Sequence, residues 1–192
     1  GFIAIIGEAG TGKTTIIEFL LENIDKNYKV VRVCNKIGSF DNLLKMVLSE
    51  LGLMGKNEKI NESEAIKTLH SFSNNQMRND GNVVIVIDDA HNLDRMCLEN
   101  LRLFSDLQTD NQNLVQVILS GRPELEAQLN RPEMSWLNQR NLIKRYTSPL
   151  NESESCEYIN HRLKTANFSQ PPLFDPEAQK LIWNYSGGSP KM

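Results

Sequence analysis

The residues with the clearest chemical meaning lie near the start of the chain, where Gly7–Thr14 read GEAGTGKT. This segment matches the Walker A pattern G-x-x-x-x-G-K-[ST] at every fixed position. Its glycines allow a tight turn that leaves backbone N–H groups facing phosphate oxygens. Lys13 is expected to neutralise the β- and γ-phosphates of a nucleotide, and the Thr14 hydroxyl is expected to bind Mg²⁺. The predicted nucleotide-binding residues are Gly7, Glu8, Ala9, Gly10, Thr11, Gly12, Lys13, Thr14 and Thr15.

A second chemical signal is the apolar run Val83–Ile87, which leads directly into two acids, Asp88 and Asp89. A phosphate loop needs a carboxylate at the end of a neighbouring strand to hold Mg²⁺ and its water shell. We assign that role to Asp88, in the Walker B position, and expect Asp89 to orient or deprotonate the attacking water. The alternative is that one of these acids only caps the following helix.

The elements that must position these residues alternate between strands and helices. Phe2–Ile6 is a short apolar run before the loop, and the apolar spacing over 13–24 predicts a helix after it. Val83–Ile87 is apolar on both faces, as expected for a central parallel strand that is covered on both sides. Further strands are predicted at Lys29–Cys34, Leu114–Leu119 and Leu142–Tyr146. The alternation predicts an α/β fold with a mainly parallel sheet.

Capping residues and apolar spacing predict the helices between these strands. Ser39 or Asp41 is expected to begin one helix, and Asn61 is expected to begin the next. A single helix after the two acids is expected to carry the apolar residues Leu98, Leu101, Phe104 and Leu107.

The alternation of predicted strands and helices ends near residue 150, and no strand is predicted after it. Two helices are predicted near 152–164 and 175–186, separated by Pro171-Pro172. We therefore expect a nucleotide-binding α/β domain over 1–150 and the start of a smaller helical domain over 151–192.

Composition limits the function classes. The 192 residues carry a net charge of −3, which excludes a generally basic nucleic-acid binder but not a local basic patch. No apolar run approaches the roughly 20 residues that cross a bilayer. The cysteines Cys34, Cys97 and Cys156 are odd in number and widely spaced, which argues against a disulfide framework and favours a reducing, cytoplasmic location.

Several further segments occur in the order known from one protein family. They are IIGEAGTGKTT, VVIVIDDAHNL, ENLRLFSDLQT, VILSGRPEL, LNQR, EYINHRL and YSGGSPK. Together they resemble the AAA+ ATPase domain of the general secretion pathway protein A family, from about Gly7 to Lys191. The phosphate loop is common to many families, whereas GRPEL, EYINHRL and GGSPK are the specific part.

This resemblance implies a parallel sheet with strand order 5-1-4-3-2, a helical lid, and ATP bound between neighbouring subunits of a ring or dimer. Ser120 matches the family's sensor-1 position, which touches the γ-phosphate or the water. Arg140 matches the position that in clamp-loader-like relatives supplies an arginine to a neighbour's ATP. Lys191 falls where the family usually carries the sensor-2 arginine.

Three positions depart from the family pattern. Asp89 replaces Glu, which shortens the side chain by about 1.5 Å, and Lys191 replaces Arg, which loses the planar fork of donors. Arg122 stands where Gln is frequent. These departures predict that ATP binding is retained while turnover is weakened. The family also has a segment before the loop and a longer lid, so the chain is expected to be part of a longer protein, with membrane association on the cytoplasmic side of the inner membrane.

The leading hypothesis is an Mg²⁺-dependent ATPase that drives assembly or transport in a secretion or pilus-type system. A DNA-linked ATPase of the transposition-regulator type and a weakly hydrolysing ATP switch are the alternatives. Residues 131–145 carry four basic side chains and one acid, and such a patch favours a solvated face or a subunit contact over nucleic acid. A kinase is disfavoured, because the sequence shows no arginine-rich lid between strands.

Overall fold

The structure, a computed structural model, describes residues 1–33, 38–55, 58, 60–109, 112–168 and 173–191. Cys34, the last residue of the second predicted strand, and Pro171-Pro172 lie outside these residues. Within the described part of the chain, no helix combines the length and the apolar character that crossing a membrane requires.

Five of the described strands follow the predicted runs closely, and two short ones, over 108–109 and 112–113, were not predicted. Seven strands are described in all. They are β1 (Phe2–Ile6), β2 (Lys29–Val33), β3 (Val83–Ile87), β4 (Gln108–Thr109), β5 (Gln112–Asn113), β6 (Val115–Gly121) and β7 (Ile143–Tyr146). Five of them form one parallel sheet in the spatial order β2-β3-β6-β1-β7, and β4 pairs with β5 antiparallel. Numbered among themselves, the five parallel strands run 5-1-4-3-2, which is the order that the resemblance implies.

Nine α-helices connect and follow the strands within the described residues. They are α1 (Lys13–Glu22), α2 (Phe40–Glu50), α3 (Glu62–Arg78), α4 (Arg95–Asn100), α5 (Arg102–Ser105), α6 (Pro123–Leu129), α7 (Ser135–Gln139), α8 (Glu152–Thr165) and α9 (Pro176–Ser186). The Ser39 side chain caps α2 and the Asn61 side chain caps α3, each by accepting a backbone N–H. Ser39 rather than Asp41 is therefore the cap of α2.

The prediction of one continuous helix after the two acids was wrong. Asp94 caps α4, which ends at Asn100, and a separate short helix, α5, follows it. The Leu101 N–H donates to both Cys97 and Leu98, a tightened turn typical of a helix end. The four apolar residues named for that helix are all buried, so the spacing identified core residues correctly although Leu107 lies beyond α5.

The sheet separates two apolar cores of unequal size. The larger core lies on the face covered by α2, α3, α4 and α6, and the smaller one joins Ile17 of α1 to Ile5, Val84 and Ile118 of the sheet. All five residues of β3 are buried, as expected for a strand with helices on both faces. Burial on both faces keeps the strand ends fixed relative to α1, which begins directly after the phosphate loop.

The helices α8 and α9 pack against each other, and a junction at Leu150 connects them to the segment after the last strand. The indole N–H of Trp183 donates to the Leu150 carbonyl at 3.0 Å, and the Leu150 N–H donates to the Gly188 carbonyl at 2.9 Å. Gly188 has a φ of 75°, and a Cβ there would lie 2.1 Å from the Leu150 oxygen. The junction therefore requires glycine, and it holds the segment after α9 close to the phosphate loop.

Candidate nucleotide-binding site

The phosphate loop connects β1 to α1 and turns through two left-handed glycines. Gly10 has a φ of 80° and Gly12 a φ of 87°, a region that other residues seldom adopt. The Gly7 N–H donates to the Gly121 carbonyl at 3.1 Å, which ties the loop to the end of β6. The loop therefore ends at the N-terminus of α1, where free N–H groups and the helix dipole favour an anion.

Lys13, the first residue of α1, is 9% exposed and bends back over the loop. Its ammonium group donates to the carbonyls of Gly7 and Glu8, each at 2.8 Å. Burial lowers the pKa of Lys13, while the nearby carboxylates of Asp88 and Asp89 raise it. The group is thus a partly desolvated cation, and a phosphate would exchange these neutral carbonyl partners for a charged one.

The Thr14 hydroxyl lies 3.2 Å from the Asp88 carboxylate oxygen Oδ2. A hydroxyl and a carboxylate are oxygen ligands of the kind that Mg²⁺ prefers, and Mg²⁺ commonly takes one or two protein ligands plus waters and substrate phosphates. In the described part of the chain, no group of three or more His, Cys, Asp or Glu side chains could hold a metal ion. The residues present therefore fit a magnesium ion that is held jointly with a nucleotide.

Asp89 follows Asp88 and takes a left-handed backbone conformation with a φ of 50°. Aspartate tolerates this region better than most residues, because its short side chain bonds locally. The Asp89 side chain is exposed at the cavity, and its Oδ1 lies 3.9 Å from Nδ1 of the half-buried His91. This geometry leaves the carboxylate free to contact water while the backbone turn holds its position.

These residues surround one cavity of about 470 Å³. This volume lies within the range of about 300–1,000 Å³ that is usual for small-molecule sites. The wall carries three cations and two acids and includes the last residues before the chain's end. The wall is formed by Ala9, Gly10, Gly12, Lys13, Thr14, Thr15, Asp88, Asp89, Arg122, Tyr158, Pro190 and Lys191.

Four of the predicted site residues lie near the loop but outside this wall. Gly7 and Glu8 hold Lys13 through their carbonyls, as described above. The buried Thr11 hydroxyl donates to the Glu8 carbonyl and contacts the Thr147 hydroxyl at 2.7 Å, so it ties the loop to the end of β7. Ser120 is fully buried, and its hydroxyl has no hydrogen-bond partner among the described residues.

Arg140 lies at the other edge of the sheet, just after α7 and before β7 begins. Its guanidinium donates to Asp106 at 3.2 Å and to Gln108 at 2.8 Å, both of which precede β6. The five residues of β1, at about 3.3 Å each, separate this edge from the phosphate loop by about 16 Å. Arg140 is therefore too far away to reach a nucleotide in its own chain.

Three residues of the cavity wall were not among the predicted site residues. Arg122 and Pro190 lie in the GRPEL and GGSPK segments, and Tyr158 lies in EYINHRL on α8. All three segments belong to the specific part of the resemblance, and that was the signal that could have identified them. Their convergence on one cavity depends on the strand order and on the junction after α9, which no local pattern reveals.

Comparison with known proteins agrees with this geometry. Residues 1–129 match the family model described as AAA domain. The chain is 30% identical over 196 residues to the General secretion pathway protein A of Aeromonas hydrophila, a match that covers 100% of this chain and 35% of that protein. The chain thus spans about a third of the length of that curated relative.

Solved structures with the same fold include the three that follow. Cdc6p from Pyrobaculum aerophilum gives a TM-score of 0.69 at 19% identity, over 94% of this chain and 47% of that chain. The Aeropyrum pernix ORC2 protein, in ADPNP-ADP complexes, gives 0.66 at 13% identity, over 92% of this chain and 48% of that chain. Drosophila ORC bound to DNA gives a TM-score of 0.68 at 18% identity, over 96% of this chain and 50% of that chain. At these identities the likeness concerns the fold alone.

The chain belongs to the AAA domain family, because the family model matches two thirds of it. It is an ATPase domain of the P-loop class, with the parallel sheet and phosphate loop of that fold. The resemblance to general secretion pathway protein A seen in the sequence is confirmed as a similarity over the whole chain.

Proposed function

We propose that this chain binds ATP together with Mg²⁺ in the cavity at the carboxyl edge of the sheet and hydrolyses it. One observation carries the proposal: the Thr14 hydroxyl and the Asp88 carboxylate lie 3.2 Å apart beside the buried ammonium of Lys13. A complete phosphate loop brings these three groups together at a helix N-terminus, where polyphosphate is favoured.

Each group then has a distinct part in the reaction. Thr14 and Asp88 would hold Mg²⁺, which when bound neutralises charge on the β- and γ-phosphates. Lys13 binds the same phosphates, and Lys191 approaches them from the segment after α9. Asp89 orients a water whose oxygen bonds to the γ-phosphorus as the bond to the β–γ bridging oxygen breaks. ADP leaves, and a water proton passes to Asp89 and then to solvent or phosphate.

Two parts of the chain have different roles in binding the nucleotide. We propose that 1–150 forms the nucleotide-binding domain and that 151–192 begins a helical lid. Ser189 donates from its hydroxyl to the Gly10 carbonyl at 3.4 Å, so the segment after α9 contacts the phosphate loop directly. A nucleotide that binds the loop would therefore also change the contacts of this segment.

The proposal is tested by measuring phosphate release from ATP as a function of Mg²⁺ concentration. We expect release to require Mg²⁺, and we expect Asp88→Asn to raise the Mg²⁺ concentration needed by about tenfold or more, because one of two protein oxygen ligands is weakened. Asp94→Asn is the matched control, since Asp94 caps α4 away from the cavity wall. An unchanged Mg²⁺ dependence in Asp88→Asn would contradict the assignment. Absence of turnover despite binding would favour the ATP switch.

The biological role that we propose is assembly or transport in a secretion or pilus-type system. The similarity to the Aeromonas hydrophila General secretion pathway protein A, over the whole chain, supports this role. Assembly proteins of such a system would be the partners, and the cytoplasmic side of the inner membrane would be the place of action. The odd number and wide spacing of the cysteines support a reducing compartment.

A DNA-linked ATPase is the second candidate, because the Drosophila ORC structure of the same fold is bound to DNA. The basic residues that would serve it are partly engaged. Arg140 is paired with Asp106, and Lys144 donates to the Asn130 side chain at 2.6 Å. Phosphate release measured with and without double-stranded DNA separates the two candidates: stimulation that weakens with salt would favour the DNA-linked role.

We also propose that the longer protein assembles as a ring or dimer, in which Arg140 could face a neighbour's nucleotide. Its position at the edge opposite the cavity supports such an orientation, since it has no access to the nucleotide of its own chain. Its present partners, Asp106 and Gln108, support a purely structural role instead.

A further inference from the structure

Arg122 follows the last residue of β6, the strand that lies between β3 and β1. In the strand register Gly121 pairs with Ile6, so Arg122 comes level with Gly7, the first residue of the phosphate loop. On the other side of β6, the strand β3 leads into the two acids of the site. The topology therefore places Arg122 between the loop and those acids.

Contacts on three sides fix the backbone at this position. The Gly7 N–H donates to the Gly121 carbonyl at 3.1 Å, and the Arg122 N–H donates to Nδ1 of His91 at 3.5 Å. A Cβ at Gly121 would lie 2.8 Å from a Leu125 methyl group, which shows how closely α6 packs there. The arginine is thus attached to a rigid part of the fold rather than to a loose loop.

The Arg122 side chain itself is exposed and forms part of the cavity wall. Of the arginines in the described part of the chain, Arg32, Arg95 and Arg140 are paired with acids, whereas the Arg122 guanidinium makes no hydrogen bond or ion pair there. An unpaired cation with five N–H donors on a fixed backbone is suited to bind an anion that enters the cavity.

The charges around Arg122 favour a phosphate in particular. Lys13 and Arg122 are both cations of the same cavity wall, so they repel each other in the absence of a ligand. An anion with several negative charges, such as the terminal phosphate of ATP, would relieve this repulsion and contact both cations.

We infer that Arg122 binds the terminal phosphate of ATP from within the same chain, so that each chain has its own arginine for hydrolysis. This inference rests on the proposed function. A guanidinium matches phosphate oxygens with two parallel hydrogen bonds and stabilises the charge that spreads over them during transfer. An arginine in the same chain performs this task without a neighbouring subunit.

The other two residues considered for contact with this phosphate are less well placed. Ser120 pairs with Ile5, one step before the end of the strand, and it is fully buried outside the cavity wall. Arg140 lies at the opposite edge of the sheet with partners of its own. Arg122 alone among the three reaches the cavity.

Nucleotide affinity tests this assignment without relying on turnover. Isothermal titration compares Arg122→Gln with Arg131→Gln, a matched control because Arg131 is exposed and lies outside the cavity wall. We expect Arg122→Gln to weaken binding of a slowly hydrolysed ATP analogue by about tenfold or more, since a hydrogen bond between charged groups is lost. Affinity for ADP, which lacks that phosphate, should be unchanged in both variants and shows that each is folded.

Turnover gives the second measurement. Arg122→Gln should lower kcat by about 10²–10³-fold, in the range for loss of one donor to developing charge, and Arg122→Lys should restore part of it. This is the opposite of the expectation from the family resemblance, in which arginine at this position weakens turnover. Equal loss of ATP-analogue and ADP affinity, or no loss of either, would overturn the inference while the proposed function stands. If the unaltered protein binds neither nucleotide, the proposed function fails and this inference fails with it.

Discussion

In the five-stranded sheet, the amino edge, where the parallel strands begin, differs from the carboxyl edge, where they end. The difference is whether the charged side chains are paired within the chain. At the amino edge, Arg140 is paired with Asp106 and hydrogen-bonded to Gln108. At the carboxyl edge, Lys13 donates only to backbone carbonyls, and no ion pair is formed between the cations and acids of the cavity wall in the described residues. The ion pair at the amino edge stabilises the folded chain, whereas the unpaired charges at the carboxyl edge become favourable only when a ligand binds.

Topology explains why the unpaired charges collect at one edge. In a parallel sheet every strand ends at the same edge, so the loop after β1, the acids after β3 and Arg122 after β6 converge there. The N-terminus of α1 adds backbone donors to the same place. The amino edge has no such convergence, and its charges can be satisfied by neighbours within the chain. The predictions below test this difference, starting with the largest effect.

Lys13→Ala should have the largest effect. We expect affinity for ATP to fall by about a hundredfold or more, because a partly buried cation that binds two phosphates is removed. Isothermal titration with a slowly hydrolysed ATP analogue measures the loss. Lys67→Ala is the matched control, since Lys67 is an exposed lysine of α3. Equal affinities of Lys13→Ala and the unaltered protein would show that the cation at the carboxyl edge does not bind the nucleotide.

Asp89→Asn should separate catalysis from binding at the same edge. We expect kcat to fall by about a hundredfold while nucleotide affinity changes little, because a group that only orients water contributes mainly in the transition state. Phosphate release under single-turnover conditions measures the step directly. Asparagine accepts the left-handed backbone found at Asp89, so the substitution does not strain the turn.

Asp80→Asn is the control for this backbone effect. Asp80 is exposed, has a φ of 54°, and lies in the turn before β3, away from the cavity wall. It should keep the kcat of the unaltered protein. If Asp89→Asn also keeps that kcat, another residue positions the water and the acid after Asp88 serves the turn alone.

Much of the fold could be predicted because its signals are local. The strand Val83–Ile87 was confirmed at every residue, since five apolar β-branched side chains leave few alternatives. The break between α4 and α5 was missed, because the apolar spacing continues through Leu101 even though the helix tightens there. The helical spacing of apolar residues predicts which residues are buried more reliably than it predicts where a helix ends.

The site was predicted less completely, for a physical reason. The loop and Asp88 are recognised by their own spacing, and the structure brings them together. The position of Arg122 depends on β6 lying between β3 and β1, and that order is set by packing among distant segments. Thr11 is predicted to bind the nucleotide, and in this structure its hydroxyl bonds within the protein, to Glu8 and Thr147. Sequence shows which residues are near the loop, but not which way each side chain points.

Arg140→Ala should have the smallest effect and gives the sharpest test of the amino edge. Arg140 and Asp106 are 32% and 52% exposed, so their ion pair is screened by water. Such pairs contribute about 0–1 kcal/mol, which corresponds to a fall of a few degrees at most in the melting temperature. Thermal unfolding measures this change, and Arg145→Ala is the control, because Arg145 is exposed and, among the described residues, its guanidinium donates only to the adjacent Lys144 carbonyl.

The same variant decides whether the amino edge also acts between chains. If Arg140 served only stability, the kcat of Arg140→Ala would be unchanged. Adding the Lys13→Ala protein would then not raise the activity of the Arg140→Ala protein. If Arg140 completed a neighbour's site, Arg140→Ala alone would lose turnover and the mixture would recover part of it, because each variant supplies the half that the other lacks. The paired geometry at Asp106 and Gln108 favours the first result. Recovery in the mixture would show that Arg140 takes part in hydrolysis of ATP bound to a neighbouring chain. The difference between the two edges would then hold only for an isolated chain.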